Sequence, residues 1–212
     1  MRNFTNDEIQ VNKERIIELL RKVERPNANI EGLIEKLETS DFFYAPASTR
    51  FHNCCYGGLA DHCLNVYDNL WRLVSMKGLT DTISADSIII CSLLHDLSKM
   101  NFYEPTARNK KVYSPEGTKR DNLGSFEWVS EESWAVRDVS QRLIYGTHEE
   151  NSEFMIRCYI PLTLEESAAI LSHHAGLGDG NVKNVGDAYY RYPLANLLHV
   201  ADMLATYTDE KK

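Results

Sequence analysis

The chain begins with a helix start signal, Thr5-Asn-Asp-Glu8, which has the form of a capping box. Ile9, Ile16, Leu20 and Val23 then fall close to one face, and Pro26 breaks the pattern. Ile30, Leu33, Ile34 and Leu37 repeat at i, i+3, i+4 and i+7, which predicts a second amphipathic helix. Asp41 to Tyr56 is irregular and contains Pro46. After Gly57-Gly58 a third stripe runs through Leu59, His62, Val66, Leu70 and Leu73, and Lys77-Gly78 closes it. Ser84 is placed to cap the next helix, whose body from Ile88 to Leu94 is apolar all round and predicts a buried, central element. From Phe102 to Val139 aromatic and β-branched residues alternate with Pro, Gly and Asn, and Asn122-Leu-Gly124 reads as a turn between short strands. Thr163-Leu-Glu-Glu166 is another capping box, for a helix running to about His174 and stopping at Gly176. Pro193 suits a first helical turn, followed by Leu194, Leu197, Leu198, Ala201 and Leu204. The pattern predicts an all-α fold, a helical bundle with a small β-hairpin excursion around residues 102–130. Residues 1–40 are expected to form an N-terminal helical layer packed on the domain that 41–212 make up.

A length of 212 residues, 43% hydrophobic and 25% charged, is ordinary globular composition and excludes a disordered or fibrous chain. The formal net charge of −8 argues against broad binding to duplex DNA, which needs a large positive surface. Five cysteines, an odd number with no CxxC, argue against a disulfide framework. No apolar run approaches a membrane span, and the polar start MRNFTNDEIQ has no export-signal core, so a cytoplasmic protein is expected. The pattern carries no signal of oligomeric state.

The candidate chemistry lies where polar residues interrupt apolar elements. His62 sits on its helix's apolar stripe, and His95-Asp96 ends the most apolar helix. His173 ends another helix, and Asp202 lies inside the apolar last one, where an unpaired carboxylate is costly. Imidazoles and carboxylates from different helices converging in a bundle core make a site for a divalent ion. His148, in YGTHEENS, is read either as a member of that site or as part of a polar turn.

In this order the residues resemble the HD-domain metal-dependent phosphohydrolase superfamily and its H…HD…D pattern. The matching segments are His62 in GGLADHCLNVYDNL, His95-Asp96 in CSLLHDLSK and Asp202 in LLHVADML. His148 and His173, in ILSHHAGLG, fit the two further histidines of binuclear members. The stretch FFYAPASTRFHNCCYGGLADH is similar to the lead-in of HD exoribonucleases and of uncharacterised bacterial and phage-type hydrolases. The resemblance covers roughly residues 42–207 and implies an HD domain over most of 41–212. It implies two divalent ions (manganese, iron, cobalt, nickel or zinc), Asp96 bridging them, His62, His95 and Asp202 on one, and His148 and His173 on the other. Asp96 and Lys99 would be catalytic, Lys99 contacting a phosphate. Where the family often has HDxGK, this chain has HDLSK, with Ser98 in the glycine's place.

The resemblance implies hydrolysis of a phosphate ester by a metal-bound hydroxide, with a nucleotide or cyclic nucleotide as the small phosphorylated substrate; the net charge and the lack of an apolar span argue against duplex DNA and a membrane as partners. The alternatives are an exonuclease on short RNA or DNA ends and a non-catalytic nucleotide-sensing module. Either His173 or His174 is the ligand, since successive helical residues point about 100° apart; His173 is favoured and His174 is then a candidate substrate contact. Arg50 and His52 are further substrate candidates, and Arg108, Lys110 and Lys111 add positive charge. Tyr103, Tyr113, Phe126 and Trp128 form either the hairpin's own core or a stacking platform for a base. His199 is either a partner of Asp202 or a plain histidine, and the spacing of His52, Cys54, Cys55, His62 and Cys63 fits no zinc pattern.

Overall fold

The computed structural model describes residues 4–142, 146–174 and 182–210. Helix α1 (Asn6–Leu20) starts on the Thr5–Glu8 capping box, and α2 (Ile30–Glu38) starts on Asn29, whose side chain accepts from the Gly32 amide. Both carry the expected faces inward, and α1 packs on α3 (Gly58–Met76) and α4 (Ala85–Leu94). The N-terminal residues therefore share one continuous apolar core with the rest of the chain. Ser84 caps α4, and every residue from Ile88 to Leu94 is buried. Full burial of each of its larger aliphatic side chains contributes about 1.5–3 kcal/mol, which makes α4 the axis of the bundle.

The start of α3 depends on two glycines for different reasons. Gly57 precedes the helix at φ +78°, a left-handed conformation that side chains disfavour. A Cβ on Gly58 would lie 2.0 Å from the Asn53 carbonyl oxygen, so only glycine lets the loop lie against the helix.

The excursion is larger than its sequence pattern predicts. Strands β1 (Tyr103–Tyr113), β2 (Lys119–Asp121) and β3 (Gly124–Val136) form an antiparallel sheet in the order β1-β3-β2. The register pairs Tyr103 with Val136 and Tyr113 with Phe126. The turn falls at Asn122-Leu123, as expected, but β3 continues to Val136. Glu131 and Glu132 conceal that continuation in sequence; across the ribbon Glu131 pairs with Arg108 at 2.6 Å and Lys110 at 3.6 Å. The fold is thus mixed and mostly helical, compatible with the expected helical fold carrying a hairpin.

Beyond the sheet, α5 (His148–Arg157) has its own capping box, Thr147–Glu150, so this stretch opens a helix and the polar-turn alternative falls away. Helix α6 (Leu164–Ser172) starts on the Thr163–Glu166 box and ends at Ser172, with His173 as its C-cap. The predicted stop at Gly176 lies outside the described residues. Helix α7 (Val182–Arg191) is followed by α8 (Pro193–Leu204), which has Pro193 in its first turn and packs between α3 and α6. A π-helical turn, Ala205–Asp209, extends α8 and brings Glu210 back to α3. No helix among the described residues is long and apolar enough to cross a membrane.

Candidate metal centre

Helix ends supply most of the centre. His95 is the C-cap of α4, Asp96 follows it before a 3-10 turn (Leu97–Lys99), His148 opens α5 and His173 closes α6. His62 comes from the second turn of α3 and Asp202 from the last turn of α8. His62, His95, Asp96, His173 and Asp202 are all buried, although each carries polar atoms that a core penalises.

Four imidazoles of the centre have the Nδ1 nitrogen tied to an oxygen. His95 donates to the Ser92 carbonyl at 2.8 Å and His173 to the Ile170 carbonyl at 2.6 Å. His62 Nδ1 meets Glu210 Oε1 at 3.0 Å, and His174 Nδ1 meets Glu149 Oε1 at 3.0 Å. When each ring is neutral with its proton on Nδ1, its Nε2 lone pair is free for a metal ion; His62 must first lose a proton to reach that form. An outer hydrogen bond of this kind orients metal-binding histidines. The Nε2 of His95 and the Oδ1 of Asp96 are buried with no hydrogen-bond partner, an arrangement that a cation would satisfy.

The Asp96 carboxylate lies between two sets of imidazoles. Its Oδ2 is 3.4 Å from His95 Nε2 and 3.7 Å from His62 Nε2. Its Oδ1 is 3.6 Å from His148 Nε2 and 3.8 Å from His173 Nε2. Asp202 Oδ1 stands 3.3 Å from His62 Nε2. Ligand atoms of His62, His95 and Asp202 all lie within 4.8 Å of one another, as do those of His148, His173 and His174 and those of His95, Asp96 and His173. Clusters of this composition suit a borderline or hard divalent ion. The chain matches no family model, no curated protein and no solved structure. The geometry and the sequence motif therefore carry the functional reading between them.

The field inside the cluster is strongly polarised. Burial opposes a charge on His62, but Glu210 and Asp202 outweigh it and push its pKa up to about 10. Burial also opposes a charge on Asp96, and there Lys99 and His95 outweigh it and hold the carboxyl well below the usual range. His148, by contrast, is pushed down to about 3 by burial, which leaves a neutral imidazole with a free lone pair.

Several candidates sit elsewhere than one reading placed them. His173 and His174 are not alternatives: α6 has already ended at Ser172, so the helical 100° offset does not apply and both face the same cluster. Lys99 is buried, with Nζ 2.6 Å from Asp96 Oδ2. His199 serves neither Asp202 nor the surface; its Nδ1 donates to the His173 carbonyl at 2.6 Å and steadies the end of α6. Ser98 uses the hydroxyl that a glycine would lack: it donates to the His148 carbonyl at 2.8 Å and accepts from Ser152 at 3.0 Å, locking α5 beside the Asp96 turn. Arg108, Lys110 and Lys111 are held by Glu131 and Asp121 on the ribbon. Tyr113, Phe126 and Trp128 pack on one another there as the ribbon's own cluster. None of the potential metal-holding groups among the described residues contains a cysteine.

His52 packs its ring 4.7 Å from that of His62, and neither of its ring nitrogens has a hydrogen-bond partner. Arg50, two residues earlier, is exposed. Glu149 and Glu210 are the residues that sequence reasoning missed. The Thr147–Glu150 capping box was a usable signal for Glu149, because it fixes His148 and Glu149 as the first helical residues. Nothing in the sequence pattern around Glu210 distinguishes it from a surface acid.

Proposed function

We propose that this chain is an HD-type phosphohydrolase working with two divalent ions, and that its substrate is a nucleotide or cyclic nucleotide. The observation that carries this reading is the Asp96 carboxylate, whose two oxygens face different sets of imidazoles. His62, His95 and Asp202 would hold one ion, and His148 and His173 the other, with Asp96 shared. Bound ions of this kind lower the pKa of water, neutralise phosphoryl oxygens and align attack with departure of the leaving group. The chain's own residues do the rest. Lys99 keeps a positive charge beside Asp96, where it attracts a phosphate oxygen. His52 stands next to His62 with both ring nitrogens buried and without a hydrogen-bond partner.

A cleft on the ribbon side is the candidate seat for the remainder of the substrate. Tyr56, Pro105 and Trp134 wall a cleft of about 290 Å³, with Tyr56 and Trp134 rings 4.8 Å apart. Four residues of extended chain span at most about 14 Å, and four separate Tyr56 from His52. In this reading the cleft would receive the aromatic base of a substrate whose phosphate lies at the histidine cluster. The deciding experiment is elemental analysis of protein purified without chelator, followed by a screen of nucleotides and cyclic nucleotides with the ion found. About two ions per chain and release of phosphate or ring-opened nucleotide support the proposal. Protein that binds no manganese, iron, cobalt, nickel or zinc on reconstitution, and turns nothing over, refutes it. Binding of nucleotide without product assigns the chain to nucleotide sensing instead.

A further inference from the structure

Glu149 is the second residue of α5 and its carboxylate is buried, at 4% exposure. It stands behind two of the centre's imidazoles at once. Its Oε1 accepts from His174 Nδ1 at 3.0 Å. Its Oε2 is 3.2 Å from His148 Nδ1, close in distance but not aligned as a hydrogen bond. The two rings lie 4.4 Å apart, and each packs against the ring of His173, at 5.2 Å for His148 and 4.2 Å for His174. The Nε2 atoms of His148 and His173 are 3.3 Å apart, and His174 completes a group whose ligand atoms lie within 4.8 Å.

A buried carboxylate is costly unless it answers positive charge or N–H donors. No lysine or arginine ion pair reaches Glu149 among the described residues; its ion-pair partners are the two histidines. A negative charge on the Nδ1 side of both rings favours the Nδ1–H tautomer in each. It also raises the basicity of both Nε2 atoms, which point the other way.

We propose that Glu149 is a positioning residue for metal binding: it aims His148 and His174 together, so that His174 joins His148 and His173 as a third imidazole of one ion position. This inference rests on the reading of the centre as a divalent-metal site. It adds a ligand and a supporting carboxylate to the set that the HD motif implies.

The test is cobalt(II) titration of the 212-residue chain, followed by equilibrium binding and by the visible absorption of the bound ion. The wild type is expected to take up two equivalents. In Glu149→Gln, affinity for one equivalent should fall about 10–100-fold, with a changed visible band, while the other equivalent keeps its affinity. His174→Gln should weaken the same equivalent, and Glu149→Asp should restore part of the loss. Unchanged binding of both equivalents in either Gln variant overturns the proposal, as does equal weakening of both. A Glu149→Gln chain that fails to fold shifts the decision to His174→Gln, which leaves the carboxylate in place. A wild type that binds no cobalt refutes the metal-centre reading itself and is distinguishable from these outcomes.

Discussion

Asp96 is 1% exposed, and the Lys99 ammonium contacts it at 2.6 Å while itself only 9% exposed. Asp96→Asn keeps the shape and removes the charge, so Lys99 is left buried without a counterion. Removing one member of a buried pair costs about 3–5 kcal/mol. In a chain of this length each kcal/mol moves Tm by about 2–4 °C, so metal-stripped Asp96→Asn should melt about 6–20 °C below the stripped wild type. The double variant Asp96→Asn/Lys99→Met removes the stranded charge too and should recover most of that loss. Metal binding should not recover with it, because the oxygen pair facing both imidazole sets is still gone. The assay is thermal unfolding of stripped protein by circular dichroism, paired with metal analysis after reconstitution. The reasoning is refuted if Asp96→Asn melts with the wild type, if the double variant is no more stable than the single one, or if either variant takes up the wild-type complement of metal.

Glu166 is fully buried, accepts from both terminal nitrogens of Arg25 at 2.6 and 2.7 Å, and binds Ser87 Oγ at 2.7 Å. Burial raises its pKa, but Arg25, Thr163 and Ser87 together outweigh that and hold it below its ordinary 4.5. Its contribution to stability is therefore full above about pH 4.5 and fades as pH falls through the folded value. Denaturant midpoints from neutral to acid pH should show a Glu166→Gln deficit that narrows toward acid; a deficit that widens contradicts the assignment. Trp134→Ala should raise KM for a nucleotide substrate by roughly 5–150-fold, the worth of a stacked base at about 1–3 kcal/mol, with kcat little changed. Steady-state kinetics with an unchanged KM would exclude the cleft as the base site.

Those residues divide sharply in how legible they are before folding. The capping boxes at Thr5 and Thr163, Pro193 and the apolar run in α4 place their helices correctly, because each signal is local. His62, His95, Asp96, His148, His173 and Asp202 fall into overlapping groups close enough to hold a metal ion. Helix α5 was harder, since its buried face holds Glu149, Asn151 and Ser152 and so lacks apolar periodicity. That polarity is a consequence of facing the centre. The far end of β3 is less legible, since Glu131 reads as a solvated acid until the opposite strand supplies Arg108 and Lys110. Glu210 depends on a π-helical turn for which the chain carries no local signal, and on a contact with His62 across 148 positions.

That long-range contact has a consequence for how the protein opens. The centre cannot close until α8 and its π-turn dock, since they deliver Asp202 and Glu210 to His62 on α3. Undocking this C-terminal segment is therefore a subglobal opening that dismantles one half of the centre while leaving α4 buried. A ligand that binds only the closed form adds about 2.7 kcal/mol to that opening at a hundredfold excess over its Kd. Amide hydrogen exchange along α8 should then slow selectively when metal is added, making the last helix the natural reporter of whether the centre is filled.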